Sequence, residues 1–218
     1  MIFKLLTSLI WIYNFEVIEM AKGFDASAKI TNEQFLNFST NGYSFFIGRI
    51  YRSNATGMPD IDGITNINKA RETGFLDVDG YIYPCTYGTC RYAIDQVNTA
   101  LNVLEDEKAT VGKIWLDIEN PEKWSKNFTK NRQFIDDMAS TVKGRGYSAG
   151  IYTSKYSWVK ICGNWTAYSS YPLWWVAYNK HEDLKTGWMD FGGWISPMIH
   201  QWDQNYIENK LKFDPNVK

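Results

Sequence analysis

Histidine and cysteine are scarce in this chain: its 218 residues hold two of the first, His181 and His200, and three of the second. Neither histidine stands at metal-ligand spacing from the other or from a cysteine, so no zinc centre is expected, and no cofactor is called for. No serine or cysteine nucleophile signature accompanies His200, which reads as a strand residue rather than a catalytic base. An excess of one charge is also missing. Lys+Arg 23 against Asp+Glu 24 leaves a net charge of −1 and a pI of about 6.1, which removes any bulk electrostatic drive toward nucleic acid or an anionic membrane. Beyond the N-terminal leader no run is long and apolar enough for a membrane helix. Repeats, low-complexity tracts and Pro- or Ser-rich linkers are absent too, so residues 22–218 read as one domain, expected to act as a monomer away from membranes.

Aromatic residues are abundant: Trp 10, Tyr 14 and Phe 12 make 17% of the chain. Most of them suit a core, and a minority of Trp and Tyr suit a groove that stacks sugar rings. The densest chemistry lies in Trp115-Leu116-Asp117-Ile118-Glu119-Asn120. On a strand, Asp117 and Glu119 share one face while Leu116 and Ile118 share the other. Apolar residues on the second face suit a parallel sheet covered by helices. Two acids on the inner face are costly to bury, and paired carboxylates are what glycosidic cleavage needs: one protonates the leaving oxygen and the other supports the sugar cation. The bland alternative is a solvated strand end with Glu119 in water.

The N-terminus has the look of a targeting segment. Lys4 precedes the apolar run Leu5-Leu6-Thr7-Ser8-Leu9-Ile10-Trp11-Ile12-Tyr13, which has signal-peptide length. Residues 1–21 are therefore assigned to a signal peptide, although no small-x-small cleavage site follows cleanly, and either cleavage near Ala21 or retention of the run fits. The expected location is outside the cell or in a phagosomal or lysosomal lumen. Cys85 and Cys90 bracket the turn-forming Thr86-Tyr87-Gly88-Thr89, which can bring their sulfurs together in an oxidising compartment, leaving Cys162 unpaired. Four N-x-[ST] sequons, at Asn37, Asn54, Asn127 and Asn164, permit glycosylation without arguing for it, since about two arise by chance at this composition.

Strands and helices alternate along the rest. Strands are predicted at Gly23–Ser27, Ser44–Tyr51, Asp77–Pro84, Ile114–Glu119, Ala149–Thr153, Leu173–Tyr178 and Met198–Trp202. Helices are predicted over 60–73, Tyr92–Leu104 and Asn131–Lys143, the last stopped by Gly144-Arg145-Gly146. This order predicts an α/β fold, an irregular, flattened (β/α)8-like barrel. The stretches 152–173 and 178–198 are rich in Trp, Gly and Ser, so the last helices are expected to be short or missing. Barrel function collects at the C-terminal strand ends, where Asp25, Asp117, Glu119 and either Asp203 or Asp214 would meet.

The order and spacing of several short blocks carry a resemblance. They are Gly23-Phe24-Asp25-Ala26-Ser27, Asp77-Val78-Asp79-Gly80-Tyr81 before Tyr83-Pro84-Cys85, Trp115 to Glu119, and Gly150-Ile151-Tyr152-Thr153-Ser154. Tyr171-Pro172-Leu173-Trp174 with Tyr178, Phe191-Gly192-Gly193-Trp194 and His200-Gln201-Trp202 complete the set. Together they resemble the lysozymes of glycoside hydrolase family 25, close to the secreted branch of protists and nematodes. The resemblance implies hydrolysis of the β-1,4 bond between N-acetylmuramic acid and N-acetylglucosamine in bacterial peptidoglycan. It implies Glu119 as general acid, with Trp115 helping to form its apolar wall. Asp117 would support developing positive charge or orient the substrate's 2-acetamido group. Asp25 and Asp214, the latter in Asp214-Pro215-Asn216, would position the pair; Tyr152, Trp174 and Tyr178 would line the sugar groove. Asp203 competes for the role of late acid, since Pro215 would disturb a paired final strand. Asp77 and Asp79, at the start of the third strand, are read as structural. A chitinase-like glycosidase and a non-catalytic carbohydrate-binding protein on a decayed barrel are the rival readings.

Overall fold

The computed structural model of the protein describes residues 20–54 and 56–218; the apolar leader run lies outside the described residues. In chain order come β1 (Lys22–Ala26), α1 (Asn32–Thr40), β2 (Tyr43–Arg52), β3 (Met58–Pro59), α2 (Ile61–Glu72), β4 (Asp77–Ile82), α3 (Ala93–Asp106) and β5 (Lys113–Asp117). A 3-10 turn (Pro121–Lys123), α4 (Phe128–Gly144), β6 (Ser148–Thr153), α5 (Lys155–Cys162), β7 (Leu173–Val176), β8 (Ile199–Gln201), β9 (Tyr206–Glu208) and β10 (Leu211–Val217) follow.

Strands β1, β2, β4, β5, β6, β7 and β8 run parallel to their neighbours, and β10 inserts antiparallel between β8 and β1. Pairing of β1 with β2 closes the ring, an irregular eight-stranded barrel of the kind the alternation predicts. One barrel strand is missing from the predicted set: the last, β10, is antiparallel and includes Pro215. Proline does not interrupt it, because Pro215 still accepts from the Trp202 N–H (3.3 Å) while Asp214 and Asn216 stay in register with Asp25 and Gly23.

Among the described residues, five helices cover the strands from outside, and none of them follows β7. Two are absent from the predicted set. Helix α1 is short, but Thr31 and Gln34 form a capping box and Phe35 and Phe38 are fully buried, so local capping and two aromatics suffice to hold it. Helix α5 spans eight residues between a Ser154 cap and Gly163, whose φ of 67° ends it in the left-handed region that suits glycine.

Alternation along the strands divides the interior into two. Phe24 points outward into a cluster with Phe35, Phe38, Tyr43, Phe46, Phe75 and Phe213. Leu116 and Ile118 are likewise fully buried on the outer side. Inside the barrel, Phe45, Ile47, Trp115, Tyr152, Trp174, Val176 and Ile199 form a second cluster. That plug leaves the C-terminal rim of the parallel strands as the open end. Cys85 and Cys90 are disulfide-bonded just after β4, and Gln96 of α3 clamps their loop by bonding both the N–H and the carbonyl of Cys85 (2.9 and 2.7 Å). Cys162 is a buried free thiol. Asp77 pairs with Lys218, while buried Asp79 accepts from Lys113 N and Trp115 Nε1 (both 2.8 Å); both serve the structure, away from the open end.

Candidate active site

Four carboxyl groups from three strands and one loop line a single cavity of about 400 Å³. Asp25 comes from β1, Asp117 from the last position of β5, Glu119 from just beyond it and Asp214 from β10. Regular pairing of β5 stops at Asp117, earlier than predicted. The chain nevertheless stays extended, because Ile118 N donates to Tyr152 O (2.9 Å) and Thr153 Oγ1 donates to Ile118 O (2.6 Å). Trp124 Nε1 then holds the Glu119 carbonyl (2.9 Å). Both acids of the D-x-E pair therefore face the cavity, and the solvated-end alternative does not apply.

Asp25 sits at the base of a hydrogen-bond network. Its Oδ1 accepts from Gln201 Nε2 (2.7 Å) and from Asn216 Nδ2 (2.8 Å). Both amides are oriented from behind. The indole N–H of Trp174 can only donate, and it meets Asn216 Oδ1 at 2.7 Å, so the amide NH2 must turn toward Asp25. Gln201 Oε1 receives the hydroxyls of Tyr152 (2.7 Å) and Tyr178 (3.3 Å) with the same result. The three residues expected to line a sugar groove thus play two parts. Trp174 and Tyr152 are buried and hold the floor, and Tyr178, 43% exposed, is the one placed to meet a ligand face.

Burial dominates the electrostatics. It pushes Asp25 well above the usual carboxylate range, with the Asp214 charge adding to it and the two amides opposing. Asp117 is also held well above that range, by burial first and then by the charges of Glu119 and Asp25. Its Oδ1 is buried with no hydrogen-bond partner among the described residues. Glu119 is raised by burial against the Asn120 amide bond and the Lys123 charge, and Asp214 by burial against the Asn205 N–H. All four are raised, so in this shared cavity the protonated form of each is favoured more than in an isolated acid.

The two candidates for the late acid differ in position. Asp214 lines the cavity opposite Asp25 in the β1–β10 register. Asp203 lies outside it, bonded to Gln204 N (2.9 Å) and 3.6 Å from Lys180 Nζ. Trp115 needs a correction: it lies below the cavity, edge-on to Trp174 and bonded to Asp79, and does not wall Glu119. His200 faces outward from β8, stacked on Trp175 with ring centroids 4.0 Å apart, and takes no part in the cavity. Among the described residues no cluster of His, Cys, Asp and Glu has the makings of a metal site.

Four further residues line the cavity without having been anticipated there: Tyr81, Asn120, Gln201 and Gln204. Parity was a usable signal for two of them. Tyr81 shares its face with Asp79, and Gln201 shares its face with Ile199, both inward. Asn120 and Gln204 lie on loops, where parity says nothing.

A family model described as Lys-1: Lysozyme-like protein 1 matches residues 16–202. Lysozyme-like protein 5 of Caenorhabditis elegans is 39% identical over 198 residues, covering 85% of this chain and 90% of the relative. Probable GH family 25 lysozyme 2 of Dictyostelium discoideum is 34% identical over 201 residues, covering 92% of each. Among solved structures, a family GH25 lysozyme from Aspergillus fumigatus superimposes with a TM-score of 0.66 over 91% of this chain and 93% of its own, at 18% identity, and shares the irregular barrel.

Proposed function

This chain belongs to the glycoside hydrolase family 25 lysozyme-like proteins, and from that premise we propose that it is a muramidase. The reaction is hydrolysis of the β-1,4 bond between N-acetylmuramic acid and N-acetylglucosamine in bacterial peptidoglycan. The observation that carries this reading is the meeting of Asp25, Asp117, Glu119 and Asp214 in one cavity, with the acidity of each suppressed by burial.

Glu119 is the general acid. Burial raises its pKa and so favours the protonated form, and its oxygen delivers that proton to the departing glycosidic oxygen. Asp117 works beside it. Its unpartnered Oδ1 is a buried acceptor, suited to the N–H of a 2-acetamido group, whose carbonyl oxygen would then attack the anomeric carbon. This substrate-assisted course needs no second carboxylate at bonding distance. With Glu119 and Asp25 protonated, the repulsion that helps to raise Asp117 is relieved, and its carboxylate stabilises the positive charge that grows on the ring and on the acetamido group. Asp25 and Asp214 hold the network and share its protons. The Cys85–Cys90 disulfide supports a role in an oxidising compartment, outside the cell or in a phagosomal or lysosomal lumen.

Two measurements test the reading. Purified protein is expected to clear a suspension of bacterial walls and to leave chitin intact; clearing of chitin alone, or of neither, refutes a muramidase. Asp214→Asn and Asp203→Asn, compared at equal folded concentration, should separate clearly. Asp214→Asn is expected to lose roughly tenfold or more in kcat/KM, as charges arranged around a reacting centre do. Asp203→Asn should stay within a few fold of the parent, because its carboxylate serves a loop and an exposed lysine. The reverse order would remove Asp214 from the site.

A further inference from the structure

Glu119 leaves β5 and enters a turn whose geometry serves its side chain. Asn120 adopts φ 54°, ψ 68°, the left-handed region that asparagine tolerates better than most residues, directly before Pro121. The 3-10 turn that follows brings Lys123 back, with its N–H on the Asn120 carbonyl (2.9 Å), and brings Trp124 under the Glu119 carbonyl. The consequence is that the Asn120 amide lies on the cavity wall, against the carboxyl it follows. Asn120 Nδ2 donates to Glu119 Oε1 at 2.8 Å and to the Tyr83 hydroxyl oxygen at 3.0 Å. Tyr83 is held in turn by Lys123 Nζ, which donates to the same oxygen at 2.7 Å. Backbone and side chain are thus fixed together, from β6, from Trp124 and from the Tyr83–Lys123 pair.

We infer that Asn120 is a positioning residue for Glu119, holding Oε1 as an acceptor so that Oε2 is the oxygen that carries and delivers the proton. This rests on Glu119 being the general acid. An oxygen that already accepts an N–H bond is the poorer place for a proton, whereas its partner oxygen is free to turn its O–H toward a glycosidic oxygen. Of the two carboxyl oxygens, one is used for orientation and the other for chemistry, which is how a single flexible side chain acquires one productive geometry. The amide bond also favours the ionised form, so the same contact restrains the rise in pKa that burial imposes.

The test uses the full chain, folded as judged by near-ultraviolet circular dichroism, with the pH profile of kcat/KM on bacterial walls as readout. Asn120→Asp keeps the shape and the left-handed preference and places a second carboxylate against Glu119. Its alkaline limb is expected to move up by about one pH unit. Asn120→Gly keeps the backbone free at φ 54° and removes the donor. Its limb is expected to move up by less, with the acid plateau roughly tenfold lower from lost orientation. If Asn120 merely shaped the turn, Asn120→Gly would lower activity without moving either limb, and an unmoved limb there overturns the inference. An unmoved limb in folded, active Asn120→Asp also overturns it. So does a downward shift in Asn120→Gly, which would mean that the amide oxygen, not the NH2, faces the acid. Full activity of Glu119→Gln would instead remove the general-acid reading beneath it, so the two failures are distinct.

Discussion

Replacing Glu119 with glutamine leaves a folded protein whose wall-clearing rate is about 10²–10⁴-fold lower, the range for loss of a general acid. The fold survives because nothing in the barrel depends on the carboxylate itself. The Glu119 carbonyl is held by Trp124, Ile118 is bonded at both its N–H and its carbonyl to β6, and the side chain lines a cavity rather than filling the core. Glutamine has nearly the same shape and cannot give up a proton at any relevant pH. The loss should therefore appear in kcat, with KM close to the parent, because the interaction removed is one made in the transition state. The acid limb of the profile should persist while the alkaline limb that Glu119 governs disappears. A variant that clears walls within a few fold of the parent would transfer the acid role to another member of the cluster, Asp117 being next in line.

The barrel was legible in the sequence because its strands carry their signal locally. Runs such as Ser44–Tyr51 and Ala149–Thr153 are apolar on both faces, as strands between an inner and an outer core must be, and most observed boundaries fall within two or three residues of expectation. The D-x-E pair was legible for the same reason: strand parity alone sends Asp117 inward with Leu116 and Ile118 outward. What stayed hidden depends on distant pairing. Strand β10 closes the barrel against β1 across almost the whole chain, and a proline in its middle reads as a breaker until the partner strands are known. Amides are harder still. Gln201 and Asn216 matter through the atom each turns toward Asp25, which is decided by Tyr152, Tyr178 and Trp174 from other strands. A residue type with both a donor and an acceptor announces neither until its neighbours are in place.

Asp117→Asn is expected to lose roughly 10²–10³-fold in kcat/KM and, at neutral pH, to gain stability. Both effects come from one atom. Asp117 Oδ1 is buried without a hydrogen-bond partner among the described residues, and burial together with the Glu119 and Asp25 charges raises the group well above its ordinary value. Such an oxygen is unfavourable in the resting protein and useful when positive charge or an amide N–H arrives, which is the usual compromise between stability and activity at a site. Asparagine cannot supply the negative charge, so the transition state loses the stabilisation typical of one aimed electrostatic group. It also removes a buried charge repelled by its neighbours, and replacing poorly compensated buried charges stabilises by about 1–2 kcal/mol, some 2–4 °C in Tm per kcal/mol for a chain of this length. The sign with pH follows from the raised pKa. The folded parent holds a proton that the unfolded chain releases, so the parent loses stability as pH rises from about 3.8, the value of an unburied aspartate, through the higher folded value. Asparagine does not titrate. The advantage of the variant is therefore full above that window, shrinks as pH falls through it, and is gone near and below its lower end. Thermal unfolding of parent and variant between pH 4 and 8 measures this directly. A variant less stable than the parent at pH 7, or a gap that widens as pH falls, would show that Asp117 is well compensated in the resting site and that its unpartnered oxygen is not the origin of its reactivity.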